Sequence, residues 1–389
     1  MESGAATGGR LGGDTPRSRR APGPGPTARL RRIFLVAAVL VLIPAALSYI
    51  GAISRPSNSS LGIRTVEWLR DNGGAGLVAR VESIYYSLTA PSKGGPTLRA
   101  LPKVGFGGAA GAVNVVKEYR PARVAPLLSP ALPGEGAWHA TRPGLEANPP
   151  VLLSTLRNQP EYPRVVAGLA WINTKRTVVS LHPGRLEPSV SLPRGAMDVP
   201  GGARPRLLAS FNSGFKLSDS RGGFAVGGHT YARMQNGQAT LVGYNDGHVN
   251  VLDWRYGSVI PAGVSFARQN LPLIVSEGKL SPSLSNGAEW GATVGNAVLV
   301  WRSGIGVDRH GNLIYAAGEE QTVTSLARTL LHAGAVRAME LDINSYWVSF
   351  ISYGAPGAER PKNLLPGMSR SASRYLEPDD RDFFTVYSR

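Results

Sequence analysis

Between Ile33 and Ser54 the chain carries no charged side chain. The run IFLVAAVLVLIPAALSYIGAI is 21 residues long, and about 20 helical residues cross a bilayer core. Pro44, near its centre, is tolerated as a kink in a membrane helix. A buried core helix of this length would ordinarily show one polar face, so residues 33–53 are expected to form a transmembrane helix. Arg29, Arg31 and Arg32 abut its start and Arg17, Arg19 and Arg20 lie further out, whereas only Arg55 follows closely. Basic residues stay on the cytoplasmic side, which places the N-terminus inside and the chain after about residue 55 outside a plasma membrane. A cleaved signal peptide would have an apolar region of about 7–15 residues ending in a small-x-small site. This run is longer, and Ser48-Tyr49-Ile50 is a poor cleavage site. Arg31-Arg32-Ile33-Phe34-Leu35 is like a twin-arginine export signal, which leads to the same location.

The net charge of +16 divides unevenly, with +5 on residues 1–32 and the remaining +11 spread thinly along the rest. A basic exterior favours anionic envelope polymers or phosphate-bearing substrates. No Lys/Arg cluster marks one element, so no nucleic-acid partner is expected. The chain has no cysteine, which excludes disulfides, thiolate nucleophiles and Cys-based zinc sites.

Residues 1–32 are a low-complexity Gly, Pro, Arg and Ala tail, expected to be disordered and cytoplasmic. Residues 54–150 read as juxtamembrane helices and a linker. Ser60 can cap a helix over Leu61–Arg70 that Asn72-Gly73-Gly74 ends. In a second helix, stopped by Pro91, Leu77, Val81, Ile84 and Leu88 share one face, suited to packing on the main domain or resting at the membrane surface. Residues 91–150 are rich in Pro and Gly and read as a linker or irregular strap. Gly105-Phe106-Gly107 with Gly108-Ala109-Ala110 lacks the acidic residue and the strand–helix–strand setting of a dinucleotide fingerprint.

From residue 151 to 389 the texture is β. Val165–Ile172 and Thr177–His182 suggest a hairpin around residues 173–176, as do Thr240–Tyr244 and His248–Trp254 around Asn245-Asp246-Gly247, and Ser303–Asp308 and Asn312–Ala317 around Arg309-His310-Gly311. Thr322 can cap a helix on which Val323, Leu326 and Leu330 share a face, with Gly334 at its C-terminal cap. An apolar strand, Val336–Leu341, then ends in Asp342. The order predicts an α+β domain with a mixed, largely antiparallel sheet and few helices.

Serine hydrolysis is disfavoured because no Gly-x-Ser-x-Gly elbow is present. None of the six histidines is spaced as a metal pair, and only His229, in Gly227-Gly228-His229-Thr230-Tyr231, stands as a candidate. Asn212 stands where a strand breaks into a Gly turn, Arg302 opens a hairpin, and Asp342 ends a strand. Such groups make an anion or sugar site if they converge, although Asp and Asn at strand ends are commonly turn-formers.

Residues 206–353 carry further motifs in a set order. They are Asn212-Ser213-Gly214-Phe215-Lys216, then Arg302-Ser303-Gly304-Ile305-Gly306-Val307-Asp308 with Gly311-Asn312-Leu313, then Ser325-Leu326-Ala327, and Gly334-Ala335 leading into Val336-Arg337-Ala338-Met339. This succession resembles the phosphodiester glycosidase family of N-acetylglucosamine-1-phosphodiester α-N-acetylglucosaminidase-like domains. The family's last motif, Leu-Asp-Gly-Gly-Gly-Ser-Ser, reads Leu341-Asp342-Ile343-Asn344-Ser345-Tyr346-Trp347 here, without its three glycines.

The resemblance implies a membrane-anchored extracytoplasmic hydrolase of glycosyl phosphodiester bonds in envelope glycans or related sugar phosphates. Asp342 would be base or nucleophile, Arg302 would hold the phosphate, and Asn212 would bind hydroxyls. Asn344, Lys216 and Ser345 would bind substrate, and His229, a candidate from its own setting and not from the resemblance, is counted with them. No cofactor is implied, and a divalent cation is left open because Asp342, Asn344 and Glu340 are oxygen ligands. The alternative is a catalytically inactive envelope protein of the same fold that binds glycan or phosphate. The expected partners are the envelope substrate and, through one helix, the lipid bilayer.

Overall fold

A computed structural model of the chain describes residues 26–106, 119–145, 147–286, 289–290 and 299–389. Residues 1–25 of the basic tail and Gly107–Ala110 of the glycine run lie outside the described residues. The chain divides into two units, residues 1–55 and 56–389.

In the first unit, helix α1 spans Pro26–Ser54. Its Thr27–Ser54 stretch has a mean hydropathy of 2.6, with none of its most apolar window buried against protein, and is long and apolar enough to cross a membrane.

The second unit begins with α2 (Leu61–Leu69), a turn through Arg70–Gly74, and α3 (Ala75–Thr89). Ser60 precedes α2 without a side-chain cap; its carbonyl accepts from the amide of Arg64. Strands β1 (His139–Ala140), β2 (Val151–Arg157), β3 (Val166–Ile172), β4 (Thr177–His182) and β5 (Leu207–Asn212) follow. After the short helix α4 (Leu217–Ser220) come β6 (Phe224–Val226), β7 (His229–Ala232), β8 (Ala239–Tyr244), β9 (Val249–Asp253), β10 (Val264–Gln269), β11 (Leu273–Ser276) and β12 (Lys279–Leu280). Next are β13 (Val300–Asp308), β14 (Leu313–Gln321), α5 (Val323–His332), β15 (Ala335–Glu340), β16 (Phe350–Ala355), β17 (Glu359–Asn363) and β18 (Phe383–Ser388).

These strands form three sheets, ordered β1-β2-β3-β14-β13-β15-β11-β12, β7-β6-β10-β8-β9 and β17-β16-β5-β18-β4. The domain is α+β, with antiparallel sheets and few helices. The hairpins around Asn245-Asp246-Gly247 and Arg309-His310-Gly311 form as expected. The one expected around residues 173–176 does not: β3 pairs with β2 and β14, while β4 pairs with β18 in another sheet. The turn itself is present, with the amide of Arg176 donating to the carbonyl of Asn173, but it carries the chain from one sheet to the next.

Both faces of the eight-stranded sheet are buried. Leu313, Tyr315 and Ala317 of β14 face a core shared with Phe211, Phe350 and Phe384, while Ile314 and Ala316 face Leu326 and Leu330 of α5. Strands covered on both sides read as continuous apolar runs, as Leu313–Ala317 of β14 does. Gly304 lets α5 approach: a Cβ there would lie 2.9 Å from the Met339 carbonyl oxygen and 3.0 Å from Leu330. Thr322 and Ser325 cap α5 reciprocally, and Gly334 follows its end at φ +104°, a conformation that glycine adopts at little cost.

Candidate functional site

Beyond β15, the backbone of Asp342 continues the ladder with β13, its carbonyl accepting from the Ser303 amide at 3.1 Å, and its amide donates to the Ser213 carbonyl at 3.2 Å. Its carboxylate is thereby fixed where the β5 and β15 ends meet. One oxygen accepts from Arg381 Nη2 at 3.0 Å and the other from the Asn344 amide at 2.9 Å. Burial raises the Asp342 pKa above the usual carboxylate value, with Arg381 opposing the shift.

The loop after Asp342, residues 343–347, contains no glycine, and none of its residues takes a positive φ. It folds through side-chain-to-backbone bonds instead. Asn344 Oδ1 accepts from the Tyr346 amide at 2.9 Å, and the Asn344 carbonyl accepts from the amides of Trp347 and Val348. These are the local turns that Asp and Asn make best.

Asp342, Asn344, Trp347, Phe215, Lys216 and Arg381 line a cleft of about 570 Å³ whose opposite wall is Glu67, Arg70, Asp71, Glu82 and Tyr86 of the α2–α3 pair. Lys216 forms ion pairs with Glu67 and, at 3.2 Å, with Asp71. Burial works against the Glu67 carboxylate, but Lys216 outweighs it and holds the pKa below the usual value. Burial likewise works against the Lys216 ammonium, and Glu67 and Asp71 more than offset it. Arg70 bridges Glu67 and Glu82, and burial raises the pKa of Glu82.

Arg381 is the group the sequence reading missed. Its Nη2 donates to Asp342 and to the Gly214 carbonyl, and its guanidinium lies 5.3 Å from the centre of the Trp347 ring. Its Nε is buried without a partner. It stands in the run Asp379-Asp380-Arg381-Asp382, four charges just before an apolar strand, and that juxtaposition was the available signal. The wall from α2 and α3 was missed as well.

Asn212 lies beneath the cleft. Its Oδ1 accepts from the Tyr315 hydroxyl at 2.9 Å and the Ser349 amide at 3.0 Å, and its Nδ2 donates to Ser303 Oγ, which in turn donates to the Asp342 carbonyl. Arg302 turns to the other side of β13. It donates to the carbonyls of Gln321 and Trp290 and pairs with Glu340 at 2.5 Å. Burial raises Glu340 to about 7 against the pull of Arg302, and its Oε2 has no partner. Ser345 follows Asn344 in the loop but is not among the residues that line the cleft, and its carbonyl accepts from Ser369 Oγ at 3.0 Å. His229 sits exposed on β7, its ring 6.2 Å from that of Tyr231, away from the cleft lining.

The structure therefore brings Asp342, Asn344 and Lys216 to one place, with Ser345 next to them in the chain but outside the lining. It ties Asn212 to Asp342 through one hydroxyl, and sets Arg302 and His229 elsewhere. Such a cleft can hold an anion between Arg381 and Lys216 and bind hydroxyls at Asp342 and Asn344.

No family model matches the chain, and no curated protein matches it. Among solved structures, the catalytic domain of a zebrafish N-acetylglucosamine-1-phosphodiester α-N-acetylglucosaminidase, auto-inhibited by its pro-peptide, is 15% identical over 62% of this chain and 85% of that one, with a TM-score of 0.43. A hypothetical protein from Synechocystis is 15% identical over 63% of this chain and 65% of its own, with a TM-score of 0.35. Likenesses of this size carry no argument about activity.

Proposed function

We propose that the protein is a membrane-anchored hydrolase of glycosyl phosphodiester bonds, with its cleft on the outer side of the membrane. The supporting observation is the pairing of Asp342 with Arg381 on the floor of a cleft sized for one sugar phosphate, beside Lys216. Phosphate leaves without needing a proton, so catalysis consists mainly of holding the anion and stabilising positive charge on the sugar. Arg381 and Lys216 bind the phosphate. Asp342 acts at the sugar carbon, as nucleophile or as base toward water, and Asn344 and Ser345 bind hydroxyls. Asn212 positions Asp342 through Ser303, and Arg302 with Glu340 braces the strand that carries it.

One observation favours binding without turnover. Both oxygens of Asp342 are already engaged within the protein, one by the Asn344 amide and the other by Arg381, which suits the carboxylate to orienting a ligand more than to attacking it. The test is release of free sugar from a panel of sugar-1-phosphodiesters by the wild type, Asp342→Asn and Lys216→Ala. Turnover by the wild type that is abolished in Asp342→Asn, with a raised KM in Lys216→Ala, is expected. Saturable binding of the same compounds with no release by the wild type would replace the hydrolase with the binding protein.

A further inference from the structure

Helix α3 is amphipathic the wrong way round for a surface helix of a soluble domain. Val78 is its one buried residue, and Glu82 and Tyr86, one and two turns on, line the polar cleft. The opposite face carries Leu77, Val81, Ile84 and Leu88, at 62%, 61%, 57% and 81% exposure, with Tyr85 beside them at 62%. A surface helix ordinarily buries its apolar stripe and exposes its polar one. A contiguous exposed apolar stripe marks an interaction surface.

We infer that the outward face of α3 docks on the surface of the lipid bilayer. The stripe has the long aliphatic side chains of an interfacial helix's apolar face, with Tyr85 at its edge and exposed Arg80 flanking it. The occupant follows from the chain itself. The bilayer-length apolar helix ends at Ser54 and the stripe begins at Leu77. A membrane that holds the first is tethered at high effective concentration to the second, whereas any other partner must come from solution. The inference rests on α1 crossing the membrane and is independent of the hydrolase reading.

The chain has no native cysteine, so single cysteines can be placed at will. The full chain is reconstituted into vesicles containing anionic lipid, with one fluorophore at Val81→Cys, Leu88→Cys, Leu40→Cys in α1 or Thr230→Cys on exposed β7. Brominated lipids report bilayer contact and aqueous iodide reports water. Several-fold stronger bromolipid quenching at positions 81 and 88 than at 230, approaching that at position 40, is expected. Iodide quenching at 81 and 88 equal to that at 230 overturns the inference. Protection from iodide without bromolipid quenching, growing with protein density, also overturns it and assigns the stripe to a second copy. Water exposure at position 40 removes the anchor on which the inference stands.

Discussion

Glu340 offers a test of how the strand behind the cleft is held. Its side chain is fully buried, one oxygen is paired with Arg302 at 2.5 Å, and the other has no partner. Burial lifts its pKa from 4.5 to about 7, the guanidinium notwithstanding. Between those two values the folded chain binds a proton that the unfolded chain has released, so stability falls as pH rises. The contribution is complete below the unfolded value and lost as pH passes the folded one. A shift of this size amounts to roughly 3 kcal/mol, with a maximal slope of about 1.4 kcal/mol per pH unit. Glu340→Gln removes the titration and leaves a pH-independent offset from altered packing against Arg302. Urea unfolding of residues 56–389, followed by tryptophan fluorescence from about pH 4 to about pH 8, gives the variant-minus-wild-type difference and cancels the other carboxylates. That difference should climb by about 3 kcal/mol across the window. A flat difference would refute the reasoning. It would mean that Arg302 stabilises the ionised carboxylate fully and that the strand is braced by an ordinary ion pair.

Three further outcomes are expected. Gly136→Ala should cost more than about 3 kcal/mol in the urea midpoint analysis, since φ is +72° and a Cβ would lie 1.8 Å from the Val124 carbonyl oxygen. Arg374→Met should cost about 3 kcal/mol by the same measurement, because the buried carboxylate of Asp379 loses the guanidinium that grips it at 2.6 and 2.9 Å and keeps the longer ion pair to Arg370 at 3.6 Å and the bond from Asn58. Burial opposes ionisation of Asp379 but Arg374 outweighs it and lowers the pKa below 3.8, so in the wild type this contribution holds above that value and disappears in stronger acid. Glu67→Gln should tighten the binding of inorganic phosphate or a sugar phosphate by about tenfold in calorimetry, or about 1.4 kcal/mol, by removing the charge that neutralises Lys216; unchanged affinity would remove Lys216 from the anion site.

The elements fixed by short-range chemistry were legible. The Asn245-Asp246-Gly247 turn, the Thr322 cap and the apolar strand running to Asp342 all stand where local pattern puts them. Pairing partners were not. Thr177–His182 reads as a strand and is one, but it pairs with Phe383–Ser388 near the other end of the chain, which no local signal encodes. The reading of α3 left its apolar face either packed on the main domain or at the membrane surface. Its sequence gives the stripe without saying which side meets protein, and here the polar side does because Glu82 faces Arg70. Arg381 was hidden for the same reason, since a charge run ordinarily reads as solvated surface. Its role appears only when β18 and its lead-in are laid beside the Asp342 loop.

The absence of glycine from residues 343–347 bears on function less than the motif resemblance alone implies. Glycines serve a loop by allowing positive φ or a close backbone approach, and here residues 343–346 reach their turn without positive φ, through the carboxylate of Asp342 and the amide of Asn344. The use of Asp342 Oδ1 has a chemical consequence. With one oxygen engaged by the Asn344 amide and the other by Arg381, the carboxylate is oriented but much of its hydrogen-bonding capacity is spent within the protein. A nucleophile held this way becomes more reactive if substrate takes over the guanidinium of Arg381, whose Nε has no partner. A phosphate that draws Arg381 onto itself would release Asp342 Oδ2 at the moment the sugar carbon arrives. The same substrate contact that binds the anion would then expose the reacting oxygen. On this reasoning Arg381→Lys, which keeps the charge but loses the planar fork, separates the two readings of the cleft: a hydrolase loses far more in kcat than in KM, whereas a binding protein shows only weakened affinity.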